Sequence, residues 1–541
     1  MSDLFESHVT ILATGFVLTT LLFAIAWYSQ GQRLLSLPPG PRGLPIVGSA
    51  FEIPQEYPWL KFSEWNTMFG DIVYVHLPLQ PTIVLGSVQA AMDLLDKRSA
   101  LYSSRQTLVM DGLTAWEFNF GIMPYSPRWR AHRKYFHEYF HLGAVKQYIP
   151  IQLQETRSFL RRALHSKVDV KQQIRHLFTA SIVRIIYGRS VEDIYDEYVT
   201  TAQVAVEGFT LTHTPGAFWV EFFPFLRYAP SWVPGATFKK VASYYRTHVE
   251  RMRDGPFEAV KRAMKTGVPL EGVAYDAISK AQERPGDSAS SSVEEEVARN
   301  VLGVAYSGGI SLHISTYRHV GIFTHTWTMP TAGTDTTTSA AQFFVAAMGV
   351  FPEVQRKAQA ELDNVIGPSR LPDMDDYDSL PYIRSVALES MRWMPVVPFG
   401  LSHMVIADDE YKGHRIPKGS VIIPNAWKML HDPEEYPSPE VFNPDRFLKD
   451  GKIDPSVRNP LTIAFGFGRR ICPGRHLSSN SLFLFIASLL HVYNVEAILG
   501  KDGKPVEVKP TSGVISVPET VACKLVPRSE QARRLILDID N

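Results

Sequence analysis

"FGFGRRICPGRH", residues 465–476, sets three glycines and four basic side chains around one cysteine near the end of the chain. Only one other cysteine, Cys523, occurs in 541 residues. A lone cysteine most often serves as a small core residue. Two cysteines allow at most one bridge, Cys472–Cys523, and no disulfide framework, so the fold depends on no oxidising compartment. The neighbours of Cys472 argue against a packing role. It stands between a glycine-bearing loop and an apolar helix, and Pro473 suits a first helical turn. The amides that follow, that of Gly474 included, then point at the sulfur, and with the nearby Arg470 they favour thiolate over thiol. A thiolate so held is a nucleophile or a metal ligand. No local feature identifies the base a nucleophile needs. One thiolate without a second cysteine or clustered histidines builds neither a zinc nor an iron–sulfur site.

It does suffice as the one protein ligand of a haem iron. The pattern Phe465-x-x-Gly468-x-Arg470-x-Cys472-x-Gly474 resembles the haem-binding signature of the cytochrome P-450 family, the haem-thiolate monooxygenases. Three more stretches match in the family's order. Glu389-Ser-Met-Arg392 resembles its Glu-x-x-Arg helix, Pro444-Asp445-Arg446-Phe447 the segment whose arginine completes an ion-paired triad, and Trp129-x-x-x-Arg133 its haem-contacting helix. The proline-rich Pro38-Pro39-Gly40-Pro41 is similar to that of microsomal members, fungal ones among them. The resemblance implies a mainly α fold with small β regions. It implies haem b as cofactor, O2 as co-substrate, and a separate NADPH-dependent reductase as electron donor. It further implies Cys472 as the axial iron ligand, with Trp129, Arg133, His403, Phe465, Gly468, Arg470 and Gly474 around the haem. Glu389 and Arg392 lie three apart and share a helix face. With Arg446 they form a structural network rather than a catalytic one. Arg130 and Lys134 share the stripe beside Trp129 and Arg133, and are expected to point outward, toward the electron donor.

The 55 basic and 55 acidic residues cancel, so there is no global field to draw in nucleic acid. Residues 1–8 read as a lumenal tail. Val9 to Tyr28 form twenty uncharged residues, enough for a helix across the roughly 30 Å hydrocarbon core. A cleaved signal peptide is the rival; the length of the run and the lack of an A-x-A-like site disfavour it. Asp3 and Glu6 precede the run and Arg33 and Arg42 follow it, so the bulk of the chain should face the cytosol, on the endoplasmic reticulum membrane, single-pass. Residues 29–49 form a stiff proline-rich linker, and residues 50–541 the catalytic domain. "DIVYVHLP" and "PTIVLG" read as strands. "SPRWRAHRKYFHEYF" and "PEVQRKAQAELDNVIG" read as helices with proline at the start. "ERPGDSASSS", 283–292, reads as a mobile polar loop, and "LSSNSLFLFIASLLHVYNV" as one more helix.

"AGTDTT", Ala332 to Thr337, resembles the family's oxygen-side helix motif, in which Asp335 and Thr336 would pass protons. Here the chain departs from the pattern. "SVEEEVARNVLGVAYSG" and "AGTDTTTSAAQFFVAAMGVF" each read as half of a long helix. Between them lie residues 309–331, rich in β-branched residues, without an acid, and with Pro330 just before the motif. Joining Gly308 to Ala332 restores an uninterrupted helix, so the segment reads as a translated intron; a surface insertion is the rival. His313, His319 and His325 recur every six residues and share no helical face, which argues against a metal site. The interruption also carries the alternative of a catalytically impaired haem protein. A haem-thiolate isomerase or dehydratase is a third reading, disfavoured by the Asp335–Thr336 pair. The substrate pocket is expected around residues 104–125 and 208–225, whose aromatic composition suggests a small lipophilic substrate of secondary metabolism.

Overall fold

The computed structural model describes residues 35–308 and 336–538, apart from 46, 55, 78–79, 166–167, 194, 214–217, 231, 233–235, 269–270 and 284–287. The expected tail, anchor and first part of the linker, residues 309–331 and Asp335 lie outside the described residues. Among the described residues no helix is long and apolar enough to cross a membrane.

Helices dominate. Those that build the site are α1 (Pro127–Phe140), α2 (Val170–Tyr187), α3 (Phe238–Lys265), α4 (Ser288–Ser307), α5 (Thr336–Val350), α6 (Pro352–Val365), α7 (Pro381–Trp393) and α8 (Arg475–Val492). The local chemistry explains their starts. Ser126 accepts the Trp129 N–H at 3.1 Å, and Pro127 fills the first turn of α1, where no backbone donor is needed. Pro352 opens α6, and Gly367, at φ +69°, follows it with the left-handed backbone that glycine tolerates.

A four-stranded sheet has the order β1 (Ile72–Leu77), β2 (Gln80–Leu85), β4 (Val421–Pro424), β3 (His403–Met404). β1 and β2 are antiparallel, β2 and β4 parallel, and β3 returns antiparallel on β4. β5 (Tyr493–Ala497) pairs with β6 (Cys523–Pro527) in antiparallel register, and two further hairpins are short.

Two large cores organise the body. One packs α8 against α2, α5, α6 and α7; every residue from Leu482 to Val492 is buried. Each large apolar side chain there contributes about 1.5–3 kcal/mol. The other core joins α1, α3 and α4 to the aromatic segment Trp116–Phe120. α4 and α5, the two expected halves of one helix, thus sit in different cores. α4 is tied by Asn300 to His132 of α1 at 3.3 Å, and α5 by Gln342 to the Lys171 carbonyl of α2 at 3.0 Å. Each half docks through its own contacts.

Some local expectations shift. α4 begins at Ser288, inside the segment read as loop, because its serines are followed at once by Glu294–Glu296 and an apolar face. The helix expected over "LSSNSLFLFIASLLHVYNV" stops at Val492, and Tyr493–Val495 pair as a strand with Leu525–Pro527. Cys472 and Cys523 are both free thiols. Cys523 packs in β6, its sulfur 2.8 Å from where a Cβ on Gly349 would stand.

Candidate functional site

The cysteine loop is shaped by two glycines in left-handed backbone, Gly466 at φ +77° and Gly468 at φ +56°. A Cβ on Gly468 would meet the Leu95 carbonyl oxygen at 2.0 Å, so only glycine lets the loop lie against residues 92–97. The Cys472 N–H closes the loop on the Phe465 carbonyl at 2.8 Å. Pro473 lies in the turn ahead of α8, which starts at Arg475 with Gly474 as its cap; the proline is therefore outside the first helical turn. A Cβ on Gly474 would meet no described atom, which leaves the face beside the sulfur open.

Burial pushes the Cys472 thiol above its ordinary value. The Gly474 and Arg475 backbone N–H groups and the guanidiniums of Arg133 and Arg475 pull it down by a smaller amount. The cations beside the sulfur are thus Arg133 and Arg475; Arg470, expected in that role, faces elsewhere. Arg133 donates to the Ile471 carbonyl at 2.7 Å and Arg475 to the Cys472 carbonyl at 3.1 Å.

Arg470 is buried and donates to three backbone carbonyls, Ser103 at 2.7 Å, Phe120 at 3.0 Å and Met123 at 2.6 Å. Its guanidinium lies 4.4 Å from the Trp129 ring centroid, and the Trp129 indole N–H donates to Phe120 O at 3.0 Å. A residue that sequence reasoning missed completes this cluster. Arg105 is buried and donates to the carbonyls of Gly121 at 3.2 Å, Leu401 at 2.6 Å and Ser402. No motif surrounds it; only the fold brings residue 105 to residues 401–402.

Burial lowers Arg105 to about 9 and Arg470 to about 8, the second with help from Arg105 and Arg133 nearby. His403 is buried, its Nδ1 2.8 Å from the Tyr102 carbonyl. Burial first, then Arg105 and Arg470, hold it well below its ordinary value, so its ring is neutral. Among the described residues no carboxylate pairs with Arg105, Arg133 or Arg470. Three guanidiniums without a described carboxylate partner, one of them, Arg133, beside the cysteine sulfur, fit a flat metal macrocycle with two carboxylates. Arg105, Arg133, Arg470 and His403 could hold those carboxylates, and Cys472 the metal.

The expected network assembles. Glu389 receives Arg392 through two bonds, 2.7 and 2.8 Å, with both side chains fully buried. Arg446 adds a third contact at 3.3 Å and the Asn443 N–H a fourth at 2.8 Å. Arg130 and Lys134 are exposed on α1, as the stripe argument requires. Thr336 is the first residue of α5 and is half-buried. Its neighbour Thr337 meets Ser478 of α8 at 2.8 Å, which joins the oxygen-side helix to the helix that follows the cysteine. The two expected substrate segments also meet. Trp116 stacks on Phe118 at 5.5 Å and meets the edge of Phe209 at 5.1 Å, and Glu221 reaches the backbone of Val109 and Met110.

Comparison with known proteins shows the family to which the chain is similar. The family profile described as cytochrome P-450 matches residues 38–525. The chain is 40% identical over 519 residues to cytochrome P-450 monooxygenase COX1 of Coprinopsis cinerea, with 95% of each chain covered. It is 37% identical to the monooxygenase COX2 of the same fungus, covering 95% of this chain and 93% of that one. It is 35% identical to tryptamine 4-monooxygenase of Psilocybe cyanescens, covering 95% and 98%.

Proposed function

The chain belongs to the cytochrome P-450 family, and on that premise we propose that it is a membrane-anchored monooxygenase inserting one oxygen atom of O2 into a small lipophilic molecule. The other oxygen atom leaves as water, with electrons from a separate NADPH-dependent reductase. The observation that carries this reading is the half-buried thiol of Cys472 beside Arg133, in a site where Arg105, Arg133 and Arg470 pair with no described carboxylate.

Haem b, when bound, supplies the oxygen activation and accepts the electrons. The residues of the chain do the rest. Cys472 would donate its sulfur as thiolate, aided by the Gly474 and Arg475 amides and by Arg133 and Arg475. Arg105, Arg133, Arg470 and His403 would hold the carboxylates. Once two anions stand there, burial no longer works against the arginines alone. Thr336, with Asp335 before it, would hand protons to the oxygen side, and the Thr337–Ser478 contact holds that turn against α8. The aromatic segment Trp116–Phe120 would exclude water from the reaction face. The exposed Arg130 and Lys134 suit an acidic patch on the reductase. The uncharged run 9–28 followed by Arg33 and Arg42 supports a single-pass anchor in the endoplasmic reticulum with the body in the cytosol.

The interruption at 309–331 favours one second reading, a haem-binding protein with impaired turnover. Two measurements decide. The reduced, CO-bound absorbance spectrum reports a thiolate-ligated iron, and NADPH consumption with a supplied reductase and a metabolite library reports monooxygenation. A normal spectrum without turnover would support the impaired reading. No thiolate spectrum would end both.

A further inference from the structure

Arginine offers an anion its side-on edge, the Nε–H and the neighbouring Nη2–H, which are spaced for two oxygens of one group. Three arginines of this chain show that edge filled. Arg253 spans Asp254 at 2.7 and 2.8 Å, Arg392 spans Glu389 at 2.7 and 2.8 Å, and Arg458 spans Glu435 at 3.0 and 2.9 Å. Arg162, near the end of the helix Ile149–His165, presents the same edge bare. Its Nε and Nη2 are both buried without a hydrogen-bond partner, and among the described residues no other arginine has both atoms in that state. Glu155, whose charge acts on Arg162, is taken by Arg184 at 3.2 Å, and among the described residues no ion pair joins it to Arg162.

The helix packed against it supplies unused donors. His176 of α2 is 3% exposed, and neither ring nitrogen has a hydrogen-bond partner. Whichever nitrogen carries the hydrogen, one N–H is left over in the interior, a state that folded chains rarely keep. Burial, and after it the Arg162 guanidinium, lower His176 to about 4, so the ring is neutral and Arg162 stands close to it. The Val191 backbone and the charges of Asp193 and Asp196 oppose this by less, and Asp196 is itself held by Arg189 at 2.7 Å. Thr179, three residues on and so on the same face of α2, is fully buried with an unpartnered hydroxyl. Burial lowers Arg162 as well; Arg161 adds to this and Glu155 opposes it. The group as a whole has donors and a cation but no acceptor, and a buried set of that kind is satisfied by an anion.

We propose that Arg162 and His176 form a binding site for a tetrahedral oxyanion, a phosphate or sulfate group, between the helix Ile149–His165 and α2. The bare edge of Arg162 takes two oxygens, and a third oxygen, which a carboxylate lacks, is left for the His176 N–H. Arg162 is half-buried as a residue, so the anion enters from solvent. The site stands apart from the cysteine loop. Gln152 of the same helix donates to the Leu477 carbonyl at 3.1 Å, and Arg162 lies about 15 Å further along that helix. Its occupation does not depend on the haem.

Isothermal titration calorimetry of the full-length protein with sodium phosphate, and with sodium acetate at equal ionic strength, tests it. Phosphate should bind wild type with one-to-one stoichiometry, at least about ten-fold more tightly than acetate. Arg162→Met should weaken phosphate binding about ten-fold or more. Arg162→Lys, which keeps the charge and loses the two-pronged edge, should weaken it nearly as much. His176→Leu should weaken it by a smaller factor, and Arg533→Met, at an exposed arginine, should leave it unchanged. Phosphate stabilises folded chains in general, so the thermal readout is a difference: the midpoint gain from phosphate over chloride should be larger in wild type than in Arg162→Lys. Phosphate binding as tight in Arg162→Lys as in wild type would overturn the site, as would acetate binding equal to phosphate. If Arg162→Met does not fold, the lysine variant and the wild-type comparison of phosphate with acetate still decide.

Discussion

Replacing Glu389 by alanine should be the most damaging change in the buried ion network, ahead of Arg392→Ala, with Arg446→Ala mildest. The structure sets this order. Glu389 is the only acid, it is fully buried, and it receives four donors: two from Arg392, one from Arg446 and the Asn443 N–H. Its removal leaves two guanidiniums side by side in the interior with backbone carbonyls alone, those of Leu430 and Val441 for Arg392 and of Pro437, Ser438 and Val441 for Arg446. Leaving buried charge uncompensated costs roughly 3–5 kcal/mol. Arg392→Ala strands the carboxylate on one 3.3 Å contact and one amide. Arg446→Ala instead leaves the two-bond Glu389–Arg392 pair intact and electrically neutral, and removes one longer contact, so about 1–2 kcal/mol is expected. Over 541 residues an unfolding entropy of roughly 1 kcal/mol/K turns these figures into midpoint shifts of about 4 °C for Glu389→Ala and about 1–2 °C for Arg446→Ala. Thermal unfolding followed by circular dichroism reads the shifts, and haem content per purified chain gives a second measure. Equal losses in Glu389→Ala and Arg446→Ala, or a Glu389→Ala variant as stable as wild type, would refute the reasoning.

Two glycines of the cysteine loop should both weaken haem retention when replaced by alanine, but only one should lower stability. Gly468→Ala combines a left-handed backbone, about 1–2 kcal/mol, with a clash on Leu95 O and should lower both stability and haem content. Gly474→Ala meets no described atom and should leave the haem-free protein's unfolding midpoint unchanged while weakening haem retention. Cys472→Ala should abolish the thiolate-type CO spectrum. Cys523→Ala, at a buried thiol pushed up to about 11 and remote from the site chemistry, should keep it. Lys171 donates to the Pro518 and Glu519 carbonyls and is lowered to about 8, chiefly by burial. Between about pH 8 and pH 10 the unfolded chain therefore binds more protons than the folded one, so this residue makes stability rise with pH. The slope is at most about 1.4 kcal/mol per pH unit and smaller for a partly exposed side chain. Urea midpoints at pH 8 and pH 9.5 should show the rise in wild type and a flatter response in Lys171→Met.

Residues whose chemistry is local were legible along the chain. Ser126-Pro127 opening α1, Pro352 opening α6 and the three-residue spacing of Glu389 and Arg392 each follow from hydrogen bonds or helix geometry within a few residues. The role expected of Arg470 beside the sulfur was a neighbour argument, and it failed. A residue two positions from Cys472 points its long side chain away, into carbonyls of Ser103, Phe120 and Met123. Arg133, distant in sequence, takes that place. Arg105 and the Arg162–His176 cluster carried no periodic signal at all.

By itself the sequence determined the family, the single cysteine available to a haem iron, the mainly helical class and the departure at 309–331, because these rest on residue identity and short spacing. Only the tertiary structure decided which cations surround the sulfur, which arginines pair with no described carboxylate, and which acid caps which loop. Those contacts join residues up to 367 positions apart, as Arg470 and Ser103 are, and the energy of a buried charge depends on what surrounds it in space, which no local spacing encodes.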